Sequence, residues 1–245
     1  MDTNKLRRLA RDVDEQHRTA MRTFADEVRA GHVSGPRFVA TRRELLRTGA
    51  VVTVAGTAIA LGPFVGVAAA ATTASAPATA PPVAPNSADL ALLGFAQSLE
   101  LVAVSAYQTA IASGKLADDV KAVLNAFADH HREHAGAFAA VAGIAAPGRP
   151  NTTLLAAFQS KFQSAGDQNA LLTLALQVEA AASATYLGFL GELTGTRGAG
   201  LVASIQPIES AHAVVLGQTL GVDQSTYLPT FETTSAALDP AKYPL

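Results

Sequence analysis

The chain contains no cysteine and no tryptophan. Without cysteine there are no disulfides, thiolate metal sites, catalytic thiols or cysteine-linked lipids, whatever the redox state of the compartment. Any metal ion must therefore be held by histidine, aspartate or glutamate. Charge is also scarce: 16% of the 245 residues are charged against 49% hydrophobic. That balance excludes general disorder and, with the many alanines, favours close-packed helices. Residues 1–48 carry 11 Lys/Arg against 7 Asp/Glu, and residues 49–245 carry 7 against 13. An acidic main part argues against nucleic-acid binding, and the asymmetry implies different tasks for the two parts. Walker-type phosphate loops, G-x-S-x-G elbows and H-E-x-x-H zinc pairs are all missing. The glycine-rich stretch Gly195 to Gly200 has no strand before it and reads as a turn between helices.

Residues 4–29 place Leu6, Leu9, Val13, Met21, Phe24 and Val28 at loose helical spacing among charges. This pattern predicts a marginal, solvated helix. Arg42 and Arg43, then Leu45, Leu46 and Arg47, precede an uncharged stretch from Thr48 to Ala80 that is apolar as far as Ala71. The order of arginine pair, apolar segment and small residues resembles a twin-arginine export signal spanning residues 1–70. Gly56, Gly62, Pro63 and Gly66 interrupt the apolar run, which is long enough to cross a bilayer. Cleavage at Ala68-Ala69-Ala70 is the first reading and a retained membrane anchor the second. Residues 71–87 are rich in Ala, Pro and Thr, as expected of an extended linker, so folding is expected to begin near Ser87.

From there the apolar positions recur every three or four residues. Four long helices are predicted at about 88–113, 116–142, 168–194 and 198–220, with a shorter one near 152–164 in the middle connection. Ser87 and Asp167 are candidate N-caps, and Asp118 and Asp119 suit the first turn of the second helix. The fold class is all-α, an antiparallel four-helix bundle over residues 88–221 whose crossover carries a short helix. Residues 222–245, with Pro229, Pro240 and Pro244, read as an irregular tail.

Superimposing the chain on itself reveals a duplicated hairpin. Glu100 and Tyr107 are seven residues apart in the first long helix, as are Glu179 and Tyr186 in the third. His131 and His134 are three apart in the second, as are Glu209 and His212 in the fourth; the offsets between halves are 79 and 78 residues. Residues at i and i+3 share a helix face, so each pair offers two ligand groups to one side. A buried carboxylate costs several kcal/mol unless a cation or hydrogen-bond donors compensate it, and Glu100 and Glu179 sit among apolar neighbours. Taken singly, His130, His131 and His134 could be a solvated polar face beside Asp129, Arg132 and Glu133. That bland reading is strongest for His130 and Glu133, whose counterparts in the repeat are Ile208 and Ala211.

With these residues in view, the domain resembles the ferritin-like superfamily of four-helix di-metal carboxylate proteins, which carry a Glu on each of two helices and Glu-x-x-His on each of the other two. The resemblance implies a metal centre formed by Glu100, His131, His134, Glu179, Glu209 and His212, with iron or manganese as the ion and zinc left open. His131 stands where the family has a bridging glutamate, which leaves less negative charge for high-valent iron. The resemblance also implies that Tyr107 supports Glu179 and Tyr186 supports Glu100. Two functions stay open: an exported envelope protein that oxidises iron or manganese with dioxygen or peroxide, and a non-catalytic envelope bundle with a degenerate or structural metal site. An iron-storage subunit, a weaker third reading, would form a large closed shell. The implied partners are metal ions and the twin-arginine export machinery, with membrane contact only through the apolar segment if it is uncleaved.

Overall fold

A computed structural model describes residues 2–29, 83–223, 225, 227 and 236–245. The export-signal residues Arg42 and Arg43, the apolar run and linker residues 71–82 lie outside the described residues. Among the described residues there are six α-helices, one 3-10 turn at Gly143–Ala145 and no strand. The helices are α1 (Thr3–Arg29), α2 (Ser87–Ala112), α3 (Asp118–Ala142), α4 (Thr152–Ser164), α5 (Gln168–Glu192) and α6 (Thr196–Leu220). The fold is all-α, as the periodicity predicts.

Local chemistry fixes the helix starts. α2 begins with a capping box in which the Asn86 side chain accepts from the Asp89 N–H and Asp89 accepts from the Asn86 N–H. The cap is thus Asn86 and not Ser87, because only with Asn86 does the residue three positions on carry a carboxylate. Asp167 caps α5 through the Ala170 N–H, and Asn151 caps α4 through the Leu154 N–H. α6 starts at Thr196, so Gly198 and Gly200 lie inside the helix, contrary to the turn expected across Gly195–Gly200. Packing is close at the first of these: a Cβ on Gly198 would sit 3.1 Å from the Leu93 side chain.

α2 pairs with α3 and α5 with α6, and the contacts of α2 with α5 and of α3 with α6 close a four-helix bundle. Several apolar faces on one helix are what such a bundle buries; this accounts for α2, α5 and α6 being long and apolar enough, by composition, to cross a membrane. The core forms two apolar layers, one around Tyr107, Leu124, Phe127, Leu171 and Leu216, the other around Leu93, Phe95, Phe138, Tyr186 and Ile205. Glu100, His131, His134, Glu179, Glu209 and His212 fall between these layers, so that every helix of the bundle contributes.

α4 packs on the α2–α5 side of the bundle and α1 on the α3–α6 side. The docking of α1 corrects the expectation of a solvated helix and of folding that begins near Ser87. Leu6, Val13, His17 and Phe24 make one buried stripe. Each fully buried large apolar side chain contributes about 1.5–3 kcal/mol, which offsets the marginal stability of an isolated helix. Residues 236–245 carry no helix and are tied down where Leu238 N–H donates to Thr185 Oγ1 and Asn151 Nδ2 to the Tyr243 carbonyl.

Candidate metal centre

Between the apolar layers α2 and α5 each present one glutamate, Glu100 and Glu179. α3 and α6 each present a pair one turn apart, His131/His134 and Glu209/His212. All six side chains are buried, and they assemble into two overlapping quartets. One is Glu100, His131, His134 and Glu209; the other is His131, Glu179, Glu209 and His212. Within each quartet one atom from every residue lies within 4.8 Å of the others. Ligand atoms about 2.1 Å from a common ion are at most about 4.2 Å apart, so small shifts would bring either quartet to coordination distance.

His131 and Glu209 belong to both quartets. His131 places Nδ1 2.6 Å from Glu100 Oε2 and Nε2 3.1 Å from Glu179 Oε1, so its two ring nitrogens serve the two halves of the centre. Glu209 lies 2.8 Å from His134 Nδ1 and 3.6 Å from His212 Nδ1. Two tyrosines brace the single glutamates across the bundle: Tyr107 Oη donates to Glu179 and Tyr186 Oη donates to Glu100.

These contacts set the protonation of the metal-free centre. Burial alone would neutralise Glu100, but His134 and His131 outweigh it and hold the carboxyl at a pKa of about 2. Glu179 is likewise ionised, its burial outweighed by His131 and His212. Burial would lower the pKa of His134, yet Glu100 and Glu209 keep it at about 9. His131 and His212 are raised in the same way, chiefly by Glu179. Burial and the neighbouring carboxylates push both tyrosines well above their ordinary value, so the phenols remain donors.

The centre nevertheless leaves polar atoms without hydrogen bonds. Both oxygens of Glu209 and both nitrogens of His134 are buried and lack a hydrogen-bond partner; the close approach of the two is an ion pair without hydrogen-bond alignment. Such orphans are costly in a protein interior. A cation is the ligand that satisfies a carboxylate and an imidazole facing the same space, and a mixed oxygen and nitrogen donor set suits iron, manganese or zinc. The residues present therefore fit a metal ion.

Two features of the site escape the sequence pattern. His130 is buried and not on a solvated face: its Nδ1 lies 3.0 Å from His212 Nε2, and its Nε2 3.3 Å from Asp14 Oδ1 on α1. His17 of α1 is also buried, its ring stacked 4.0 Å from that of His130. The one available signal was the place of His17 on the stripe with Val13 and Phe24, at spacings of four and seven. Glu133, which the repeat also sets apart, is 60% exposed. On the opposite side of the centre a cavity of about 20 Å³ lies between α2 and α5 beneath α4, bounded by Glu100, His131, Val102, Val178, Leu154 and Leu238.

The ferritin-like domain family matches residues 88–222, the whole bundle with its inward glutamates and histidines. The chain belongs to the ferritin-like family. No curated protein and no solved structure matches it. Membership accords with the fold and with a centre compatible with metal binding, and α1 is an addition outside the matched domain.

Proposed function

We propose that this ferritin-like protein binds two first-row transition-metal ions, iron or manganese, and oxidises them with dioxygen or peroxide in the cell envelope after export by the twin-arginine route. The observation that carries the reading is the pair of overlapping quartets with Glu209 and His134 unsatisfied between them. Two divalent iron ions bound there would supply two electrons, enough with two protons to reduce dioxygen to hydrogen peroxide. Glu100 and His134 would hold one ion and Glu179 and His212 the other, Glu209 and His131, common to both quartets, could serve either, and the three glutamates would supply the negative charge. Tyr107 and Tyr186 would fix the carboxylates of Glu179 and Glu100 by donating to them. The apolar layers keep bulk water from the centre, and the cavity beside Glu100 and His131 is about the size of one small molecule, suited to a small oxidant. The export reading is supported by the order of Arg42, Arg43, apolar run and alanines in the sequence, and a twin-arginine route, which carries folded proteins, would let metal be inserted before export.

One observation favours the non-catalytic alternative. His131 contacts Glu100 and Glu179 directly and so neutralises carboxylates without any metal. The deciding experiment is metal content per chain, by plasma mass spectrometry, on the full chain and on Glu179→Ala/Glu209→Ala, followed by iron oxidation under air. About two iron or manganese ions per chain, lost in the double variant and accompanied by catalytic oxidation, is the expected result. Stoichiometric metal without oxidation would establish the structural site, and no metal in either protein would overturn the reading.

A further inference from the structure

His212 uses both ring nitrogens. Nδ1 lies 3.3 Å from Glu179 Oε2 within the centre, and Nε2 lies 3.0 Å from His130 Nδ1. His130 turns its other nitrogen outward to Asp14 Oδ1 on α1, 3.3 Å away. A hydrogen bond between two ring nitrogens needs one donor and one acceptor, and the Asp14 carboxylate only accepts. With a single proton on His130, every contact is satisfied: His212 Nε2–H donates to His130 Nδ1, and His130 Nε2–H donates to the Asp14 carboxylate. A cation that replaces the proton on His212 Nδ1 leaves both of those hydrogen bonds in place.

The geometry points to His130 and Asp14 as positioning residues that orient His212 toward the metal, which makes α1 a working part of the centre. Metal-bound imidazoles commonly donate their second N–H to an acceptor that fixes ring and tautomer; here that acceptor is a second imidazole, itself held by a carboxylate at the surface. His17 clamps the relay, because its ring stacks on His130 at 4.0 Å and 21° while its own burial leaves Nε2 with no hydrogen-bond partner. The relay exists in one hairpin only. His134 is the counterpart of His212, but Ile208 is the counterpart of His130, and neither nitrogen of His134 makes a hydrogen bond. The inference rests on the metal-binding reading above. It carries a consequence for export: removal of the segment before Ala71 would take α1 and Asp14 away, so the uncleaved chain would hold metal more tightly than the processed one.

The test uses the full chain and Co2+ as the probe, titrated against a chelator while the cobalt absorption bands are recorded. His130→Phe keeps a ring for His17 to stack on and removes both hydrogen bonds; Asp14→Ala removes the terminal carboxylate. Arg18→Ala is the control, since Arg18 pairs with Asp14 on the solvent side of α1. The expected result is about 10- to 100-fold weaker binding in His130→Phe and Asp14→Ala, with unchanged stoichiometry, altered cobalt bands, and no effect in Arg18→Ala. Affinities within about twofold of the parent, with identical bands, would overturn the inference and leave the metal reading intact. An equal loss in Arg18→Ala would overturn it in favour of simple docking of α1, and a parent chain that binds no Co2+ would overturn both. Nitrogen NMR of the parent imidazoles with Zn2+ gives a check that needs no variant: a His130 proton on Nε2 is expected, and a proton on Nδ1 would refute the relay.

Discussion

In the α2–α3 hairpin the inward pair one turn apart is His131/His134, whereas in α5–α6 it is Glu209/His212. Around this difference the halves match closely. Tyr107 reaches across to Glu179 and Tyr186 to Glu100. Even the ends correspond: Asp89 at the start of α2 accepts from the Gly195 N–H where α6 begins, and Gln168 at the start of α5 accepts from the Ala117 N–H where α3 begins, both at 2.8 Å. Those positions carry the same offsets, 79 and 78 residues, as the inward acids and histidines. The frame is thus built twice from corresponding parts, and the halves differ at 131/209, in the centre, and at 130/208, where one half meets α1 through a histidine and the other has isoleucine.

Making the halves alike is the strongest way to break this comparison. His131→Glu would place four carboxylates together and remove the contacts of His131 with Glu100 and Glu179. Breaking a buried charge network typically costs about 3–5 kcal/mol, so urea unfolding of the metal-free variant should show a loss of that order. Added Fe2+ or Mn2+ should recover it, and iron oxidation should be faster than in the parent; failure of metal to restore stability would count against a bridging role for position 131.

The two end latches differ in charge, and the next effect follows from that. Asp89 is 1% exposed and accepts from the N–H groups of Asn86, Thr194 and Gly195 and from the Thr194 hydroxyl. Asp89→Ala should cost about 2–3 kcal/mol, the scale of buried donors left unpaired. Burial would raise the pKa of Asp89, but the Thr194, Asn86 and Gly195 N–H groups outweigh it and lower it below 3.8. Its stabilisation is therefore complete above that unfolded value and is lost as pH falls through the folded one. Unfolding curves of Asp89→Asn should accordingly be flatter than the parent's below about pH 4, with 3.8 as the reference.

Tyr107→Phe and Tyr186→Phe sharpen the likeness of the halves. Each removes one charge-assisted hydrogen bond, worth about 1.5–3 kcal/mol, and thermal melts of the two variants should agree closely because the two contacts are related by the repeat. A large disparity would show that the halves are not equivalent at the centre. The smallest effect is expected for Gln168→Ala, about 0.5–1.5 kcal/mol for a neutral hydrogen bond near solvent, and the same melts would compare it with Asp89→Ala.

The helices and the inward-facing residues were legible because both depend on short-range spacing: two groups three apart on a helix share a face wherever the helix is packed. The duplication then identified corresponding positions 78 and 79 residues apart, and the family resemblance implied the contacts of Tyr107 with Glu179 and of Tyr186 with Glu100. Asn86 was missed as a cap because Ser87 beside it offers the same type of side chain, and only the Asp89 reciprocity separates them. His17, Asp14 and His130 were missed for a different reason. Asp14 and His130 are 116 residues apart, Asp14 lies outside the repeat and the counterpart of His130 is the apolar Ile208, so no periodicity relates them, and charges crowd the stripe on α1 that holds His17.

Sequence by itself determined the all-α class, the bundle, the absence of thiol chemistry and the six inward ligand candidates, because hydrophobic period and residue type act locally. Tertiary structure alone decided that α1 docks on α3 and α6, that His130 is buried, and that Glu209 and His134 face one another without hydrogen bonds. Those outcomes depend on which surfaces exclude water together, a property of the assembled chain that no single segment carries.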